Sequence, residues 1–410
     1  MSAHVGKARV PLSRSQPPPG IASRAMFSAR TAWDLTTNRL ATLLEDKRRQ
    51  GHRILDLTET NPTRVGISYP SDVLAPLADP DALRYDPSPL GLVAAREAVA
   101  ADYARRGVAV DPGRIVLAAS TSEAYAWLFK LLCDPGDAVL VPQPSYPLFE
   151  YLARLESVDV RPYPLSYDGE WHLSAEAVAE SVAPRTRAVV VVSPNNPTGS
   201  YLKRAEADAL LALCAERELA VIADEVFADY AYGPDPRRLA SLAEDGPALV
   251  FALGGLSKSC GLPQLKLAWI AASGPERWRA PARARLEVVA DTYLSVSTPV
   301  QRAAPALLAR RSELQAPIAG RVAENRATLR RLAGGSPASL LHAEGGWSAV
   351  LQVPATQSEE ERVTRLLEQH DVLVHPGYFF DFPREAFLVL SLLTPTDIFA
   401  AGVERILAVL

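Results

Sequence analysis

The sequence predicts an α/β protein, with a large doubly wound, mostly parallel sheet domain and a smaller α+β C-terminal domain. Three observations predict it. The runs at 187–192, 219–223 and 248–253 are apolar without alternation, as expected of strands covered on both faces. Segments of helical periodicity separate them, which is the pattern of crossover helices over a parallel sheet. The chain has 410 residues, too many for a single core, so two domains are expected.

Taken in order, residues 1–28 carry scattered Lys and Arg and the run Gln16-Pro17-Pro18-Pro19-Gly20, and they read as a flexible extension. They lack the apolar stretch of a signal peptide. Residues 29–60 form an N-terminal segment expected to pack with the small domain. It holds a helix over 33–50, from the spacing of Leu35, Leu40, Leu43 and Leu44, and a short strand over 54–58. The large domain spans 61–290. It opens on the turn-rich loop around Asn61 and Arg64 and continues through an irregular loop, Tyr85 to Gly91, into a helix at 92–106. A strand from Ile115 breaks at Ser120-Thr121-Ser122 and passes into a helix at 124–133. Strands at 138–142, 187–192, 219–223 and 248–253 follow, with a helix at 206–218. A long helical region, 276–332, is interrupted near 295–299. The small domain, 291–410, alternates short strands (348–353, 372–374, 387–392) with helices.

Composition narrows the function. Apolar residues make up 48%, charged residues 22%, and the net charge is −4, a balance without the basic bias of a nucleic-acid surface. No apolar run is long enough to span a bilayer. Cys133, Cys214 and Cys260 lack metal-ligand spacing, so no metal site is expected and a reduced, cytoplasmic chain fits best.

The chemistry gathers at strand ends, where open α/β sheets bind ligands. Lys258 stands in a tight Gly/Ser turn after the 248–253 strand, a place that desolvates an amine and frees it as a nucleophile. The Ser120-Thr121-Ser122 turn at a helix start is a cradle for a phosphate. Asp224 closes the 219–223 strand, and Asn196 follows the 187–192 strand. Together with an aromatic, these residues describe a site for pyridoxal phosphate.

At this point the chain resembles the class I/II aminotransferases of the fold-type I pyridoxal phosphate enzymes. The resemblance covers nearly everything after about residue 30. It rests on Asn196-Pro197-Thr198-Gly199, Asp224-Glu225, Ser257-Lys258 and the loop Tyr85-Asp86-Pro87 to Gly91, in the family's order. It implies that Lys258 carries the cofactor as a Schiff base and shuttles a proton. Asp224 would pair with the ring nitrogen, Asn196 with the ring hydroxyl, and Tyr146 would stack on the ring. Ser120, Thr121, Ser122, Ser257 and Lys266 would serve the phosphate side, and Tyr85 would reach the cofactor of a neighbouring subunit, implying a homodimer with shared sites. The substrates would be an amino donor and a 2-oxo acid, with Asn61, Arg64 and Asn196 near them.

Four positions depart from the family. Gly255 stands where many members place a phosphate-binding serine, and Phe227 where a tyrosine usually meets the ring hydroxyl. Lys266 stands where an arginine is commoner, and loses its bidentate fork. Val389 occupies the place of the arginine that grips the substrate's α-carboxylate; Arg64 and Arg384 are the candidate replacements. That last departure leaves room for an alternative, a lyase, decarboxylase or oxidase using the same cofactor. A sensor domain of aminotransferase-like transcription regulators is a third reading, against which the short N-terminal extension counts.

Overall fold

The protein is described here by a computed structural model, in which residues 26–410 are described. All but the last three positions of the expected extension lie outside the described residues. The N-terminal segment forms a helix over Arg39–Arg49 and a short strand, β1 (Leu55–Asp56). The helix starts six residues later than its leucine spacing predicts, because the Asn38 side chain accepts the Ala41 N–H at 2.8 Å and caps it there. Trp33 instead lies against Tyr151, ring centroids 5.7 Å apart.

The large sheet is built from β2 (Ile115–Ala118), β3 (Ala138–Gln143), β4 (Asp159–Tyr167), β5 (Trp171–Leu173), β6 (Thr186–Val192), β7 (Ala220–Asp224), β8 (Val250–Gly255) and β9 (Ala268–Ser273). Its eight strands run in the order β2-β9-β8-β7-β6-β3-β4-β5. The inner run from β8 to β4 is parallel, as expected, whereas β9 is antiparallel to both of its neighbours and β5 is antiparallel to β4. Neither β9 nor the β4–β5 pair is apparent from the sequence. Strand β9 is a short buried run without alternation, which periodicity alone does not separate from a helix segment.

Apolar side chains cover both faces. Val99 and Tyr103 of the helix Val93–Arg105, with Leu210 of Arg204–Glu216 and Leu307 of Thr298–Ala309, pack under one face. Leu128 and Phe129 of Thr121–Leu132, with Leu286 of Glu276–Tyr293, pack under the other. Each such fully buried side chain contributes about 1.5–3 kcal/mol, so the two layers dominate the stability of this part of the chain. The helical region 276–332 is cut twice, at 294–297 and at Arg310, into Glu276–Tyr293, Thr298–Ala309 and Arg311–Ala333.

The remaining strands are β10 (Ser339–Leu340), β11 (Ser348–Gln352), β12 (Val372–Leu373), β13 (His375–Pro376) and β14 (Phe387–Ser391). Four of them form an antiparallel sheet in the order β10-β11-β14-β13. Strand β12 pairs in parallel with β1, Leu55 opposite Val372, so the N-terminal segment is stitched to the C-terminal part of the chain. A second apolar core joins Leu57, Leu329, Leu351, Leu366, Leu388 and Phe399. No helix among the described residues is long and apolar enough to cross a membrane.

One buried ion pair fastens the long helix Arg311–Ala333 to the large part. Arg311, 2% exposed, donates to Asp102 on Val93–Arg105 and lies 3.5 Å from Asp229. Removing one partner strands the other charge out of water, at a cost of about 3–5 kcal/mol, whereas replacing both with apolar groups is often close to neutral. Arg311→Ala should therefore lower the midpoint of urea unfolding markedly, and the Arg311→Met/Asp102→Leu double variant should recover most of the loss. A single variant as stable as the parent contradicts this account.

Candidate active site

Strand register brings the predicted residues to one edge. Across the sheet Val192 lies opposite Asp224 and Asp224 opposite Leu253. On the other side Ala118 and Gly255 both lie opposite Ala268. Ser120, Asn196, Asp224 and Lys258 thus leave their strands within a few residues of one level. The antiparallel β9 begins at that same level and returns Lys266 to it. The departure at Gly255 has a local reason: a Cβ there would lie 3.1 Å from the Ala268 Cβ and from the Leu267 carbonyl.

Lys258 sits in a one-turn helix, Leu256–Ser259, directly after β8. Burial lowers its amine to about 8, against the opposing pull of the Asp224 and Glu59 carboxylates. Two rings flank it, with Nζ 4.6 Å from the centre of Trp347 and 5.2 Å from that of Phe227. Its carbonyl accepts from the Tyr230 hydroxyl at 2.7 Å, which fixes the turn. Burial pushes Asp224 up to about 6, opposed by hydrogen bonds from the Val226 N–H and the Tyr125 hydroxyl, both 3.1 Å. Tyr125 is a site residue that the sequence reading missed, since on the Thr121–Leu132 helix it looks like any core aromatic. Glu225 turns away into a separate buried network with Ser241, the Leu242 N–H and Arg106.

The Asn196 side-chain oxygen accepts from the Ser348 hydroxyl at 3.2 Å. Its neighbour Asn195, also unremarked in the sequence, ties this loop to the next. Asn195 donates to the Pro144 carbonyl at 3.0 Å and accepts from the Ser145 hydroxyl at 3.0 Å. Those contacts carry the following residue, Tyr146, against a cluster formed by Trp171, Phe379, Phe380, Phe382 and Phe387.

The helix expected at 124–133 begins at Thr121, with Ser120 as its cap accepting the Glu123 N–H at 3.1 Å. Thr121 and Ser122 therefore occupy the first turn, whose N–H groups have no partner within the helix. The Glu123 carboxylate folds back onto the Ala119 N–H and the Ser295 hydroxyl. Ser257 is half-buried, whereas Lys266 is exposed in a left-handed conformation at φ 54°. Tyr85 is 74% exposed.

Around Val389 the surroundings are apolar. Val389 packs with the same phenylalanine cluster and lies opposite His375, which burial pushes down to about 4 and so keeps neutral. Arg384 is exposed, its guanidinium 5.6 Å from the Phe387 ring centre. Two residues along β14, the Ser391 hydroxyl donates to the Glu59 carbonyl at 2.6 Å. Asn61 bends the next turn by accepting from Thr63, and Arg64 lies 3.7 Å from the Glu59 carboxylate. The Asn61–Arg64 loop is thus moored beside the strand that lacks the arginine.

The lowered Lys258 amine is measurable without any substrate. In the unliganded protein at pH 7, about one such amine in ten is neutral, against roughly one in a few thousand for an ordinary lysine. Competitive acylation followed by peptide mass spectrometry should show Lys258 labelling levelling off above about pH 9. A labelling rate that keeps rising through pH 10 contradicts the desolvated site.

The family described as "Aminotransferase class I and II" matches residues 75–401. Glutamate-pyruvate aminotransferase AlaA of Escherichia coli is 27% identical over 361 residues, covering 85% of this chain and 88% of that one. Arginine–pyruvate transaminase AruH of Pseudomonas aeruginosa is 30% identical over 329 residues, covering 77% and 80%. Among solved structures, an alanine aminotransferase from Pyrococcus furiosus superposes with a TM-score of 0.82 at 24% identity, over 90% of this chain and 95% of that one, a likeness of fold. The family match spans most of the chain and takes in β2 to β9 and the Lys258 turn, so this protein belongs to the class I and II aminotransferases.

Proposed function

We propose that this chain is a pyridoxal phosphate-dependent aminotransferase that moves an amino group between an amino donor and a 2-oxo acid, with Lys258 carrying the cofactor. The observation that carries the reading is a lysine amine lowered to about 8, flanked by two aromatic rings, at the strand edge where Asp224 is pushed up to about 6. When bound, the cofactor supplies an aldehyde that condenses with amines and a ring that withdraws electrons.

The residues fit that group. With its amine lowered to about 8, Lys258 is about half neutral at pH 8, so its Nζ can act as nucleophile and then take and return the proton at the donor's α-carbon. Asp224 suits a protonated ring nitrogen, because a nearby cation favours its ionised form as the Tyr125 and Val226 hydrogen bonds already do. Asn196, steadied by Ser348, suits the ring hydroxyl, and Tyr146 the ring face. The first turn at Thr121 and Ser122, the Ser120 cap, Ser257 and the Lys266 charge suit the phosphate. Phe227 offers no hydroxyl to the ring, and with Trp347 it excludes water from Nζ.

We read the chain as a cytoplasmic homodimer in which exposed Tyr85 serves the neighbouring site. The exposed Val288, Tyr293 and Leu294 support a covered surface, and the free cysteines support a reducing compartment. The pairing of β1 with β12 and the second core support grouping 29–60 with the C-terminal part of 291–410, whereas Val300, Leu307 and Leu314 pack in the core of the large domain proposed at 61–290. No observation favours elimination, decarboxylation or oxidation.

The donors named in the relatives, alanine, glutamate and arginine, are the first substrates to try, with pyruvate as acceptor. One of them should bleach the cofactor's visible band in a single turnover, and pyruvate should restore it. Borohydride should fix the cofactor's mass on the Lys258 peptide, and Lys258→Ala should lose at least about a thousandfold in rate, as loss of a nucleophile and proton carrier implies. Label on Lys266, or turnover that releases no amino product, overturns the proposal.

Val389 leaves the substrate carboxylate without its usual partner, and Arg64 is the replacement we favour, because its loop is tied to β14 through Ser391. Arg321 adds a second tie, donating to the Val65 and Leu393 carbonyls at 3.2 and 3.1 Å. Arg64→Ala should lower kcat/KM on the active amino acid by about tenfold or more, the weight of one charged hydrogen bond, while Arg384→Ala leaves it nearly unchanged. If neither variant matters and amines without a carboxylate react equally well, the protein is an amine transaminase.

A further inference from the structure

A cavity of about 160 Å³ opens on the small-sheet side of Asn196, between the long helix Arg311–Ala333 and strands β10 and β11. It has room for a few waters or one small organic ion. Its walls include Tyr167, Tyr232, Arg326, Arg330, His342 and Ser348. Among the described residues, no Asp or Glu lines it.

Arg326 and Arg330 are one helical turn apart, so both side chains project from the same face of the helix. Like charges at that spacing repel, and among the described residues neither guanidinium has a carboxylate or carbonyl partner to offset the repulsion. Arg326 is half-buried, its guanidinium 4.1 Å from the centre of the Tyr232 ring. That ring is itself pinned, the Tyr232 hydroxyl donating to the Gly346 carbonyl at 3.0 Å. Burial and the neighbouring Arg330 both lower the Arg326 guanidinium. Opposite them, the Tyr167 hydroxyl accepts the His342 N–H at 3.0 Å, which leaves its own proton free to donate. The lining is therefore rich in donors and short of acceptors.

We propose that this cavity is a binding site for a small oxyanion, a carboxylate or a phosphate, gripped by Arg326 and Arg330 with the Tyr167 hydroxyl. Guanidinium groups donate in a planar fork that matches both kinds of oxyanion. The site is separate from the one that holds Lys258, although the two share a wall: the Ser348 hydroxyl that borders the cavity is the one that donates to Asn196.

The test uses the full chain loaded with pyridoxal phosphate and freed of excess, titrated calorimetrically with inorganic phosphate and, separately, with succinate. At least one probe should bind, and which one does distinguishes a phosphate source from a dicarboxylate. Arg326→Gln and Arg330→Gln should each weaken binding by about tenfold or more, as loss of one charged hydrogen bond implies, while amino transfer persists. Arg326→Lys, which keeps the charge and loses the fork, should fall between. Arg330 is exposed, so its variant is not expected to disturb folding. Affinity unchanged in both glutamine variants places the anion elsewhere and overturns the proposal, as does no binding of either probe up to about 50 mM. Neither readout depends on amino transfer, so failure here is distinct from failure of the proposed activity.

Discussion

A primary amine and a carboxylate held largely out of water at neighbouring strand ends set the terms for the rest of this site. Each is shifted toward its neutral form by burial, Lys258 down to about 8 and Asp224 up to about 6, and each is partly drawn back by the other. Such a pair costs stability in a bare protein. For Asp224 the native state binds its proton more tightly than the unfolded chain does, so its contribution worsens as pH rises from about 4 to about 6. For Lys258 the native state binds its proton more weakly, so its penalty is full at neutral pH and fades from about 8 upward. Arrangements of this kind persist where function uses them.

The surrounding structure is arranged to tolerate that pair. The buried Glu225 beside Asp224 adds to the upward push on its carboxyl, while its own carboxylate is satisfied by Ser241, Leu242 and Arg106. Tyr125 reaches Asp224 from a helix under the sheet, while Tyr230 holds the backbone of Lys258. Asn195 locks the loop of Asn196 onto the loop of Tyr146. These residues position the reactive groups through hydrogen bonds and packing.

Three of the four departures from the family, at Gly255, Phe227 and Lys266, lie around the Lys258 turn. The residues that carry the resemblance, Asn196, Asp224 and Lys258, lie at strand ends of the large sheet. The departure at Val389 lies on the small sheet, among phenylalanines and a neutral His375, where the family's substrate grip would be.

Most of the strand-end residues of the candidate site were legible in the sequence. Parallel strands buried on both faces announce themselves as unbroken apolar runs, and their carboxyl ends deliver Ser120, Asn196, Asp224 and Lys258 as punctuation in the chain. What tertiary structure alone decided is which distant side chains meet them. Strand β9 was hidden because a short apolar run carries no direction, yet its antiparallel course returns Lys266 to the strand edge. Tyr125, Asn195 and Trp347 act through contacts with residues far away in sequence, and no local pattern encodes such contacts. The helix start at Thr121 turned on the hydrogen bond that Ser120 makes, a choice of one turn that periodicity does not resolve. The cavity around Arg326 and Arg330 lay beyond sequence reading for the same reason: two arginines on a helix look like an ordinary solvated face until the fold brings Tyr232, Tyr167 and Ser348 around them and leaves acids out.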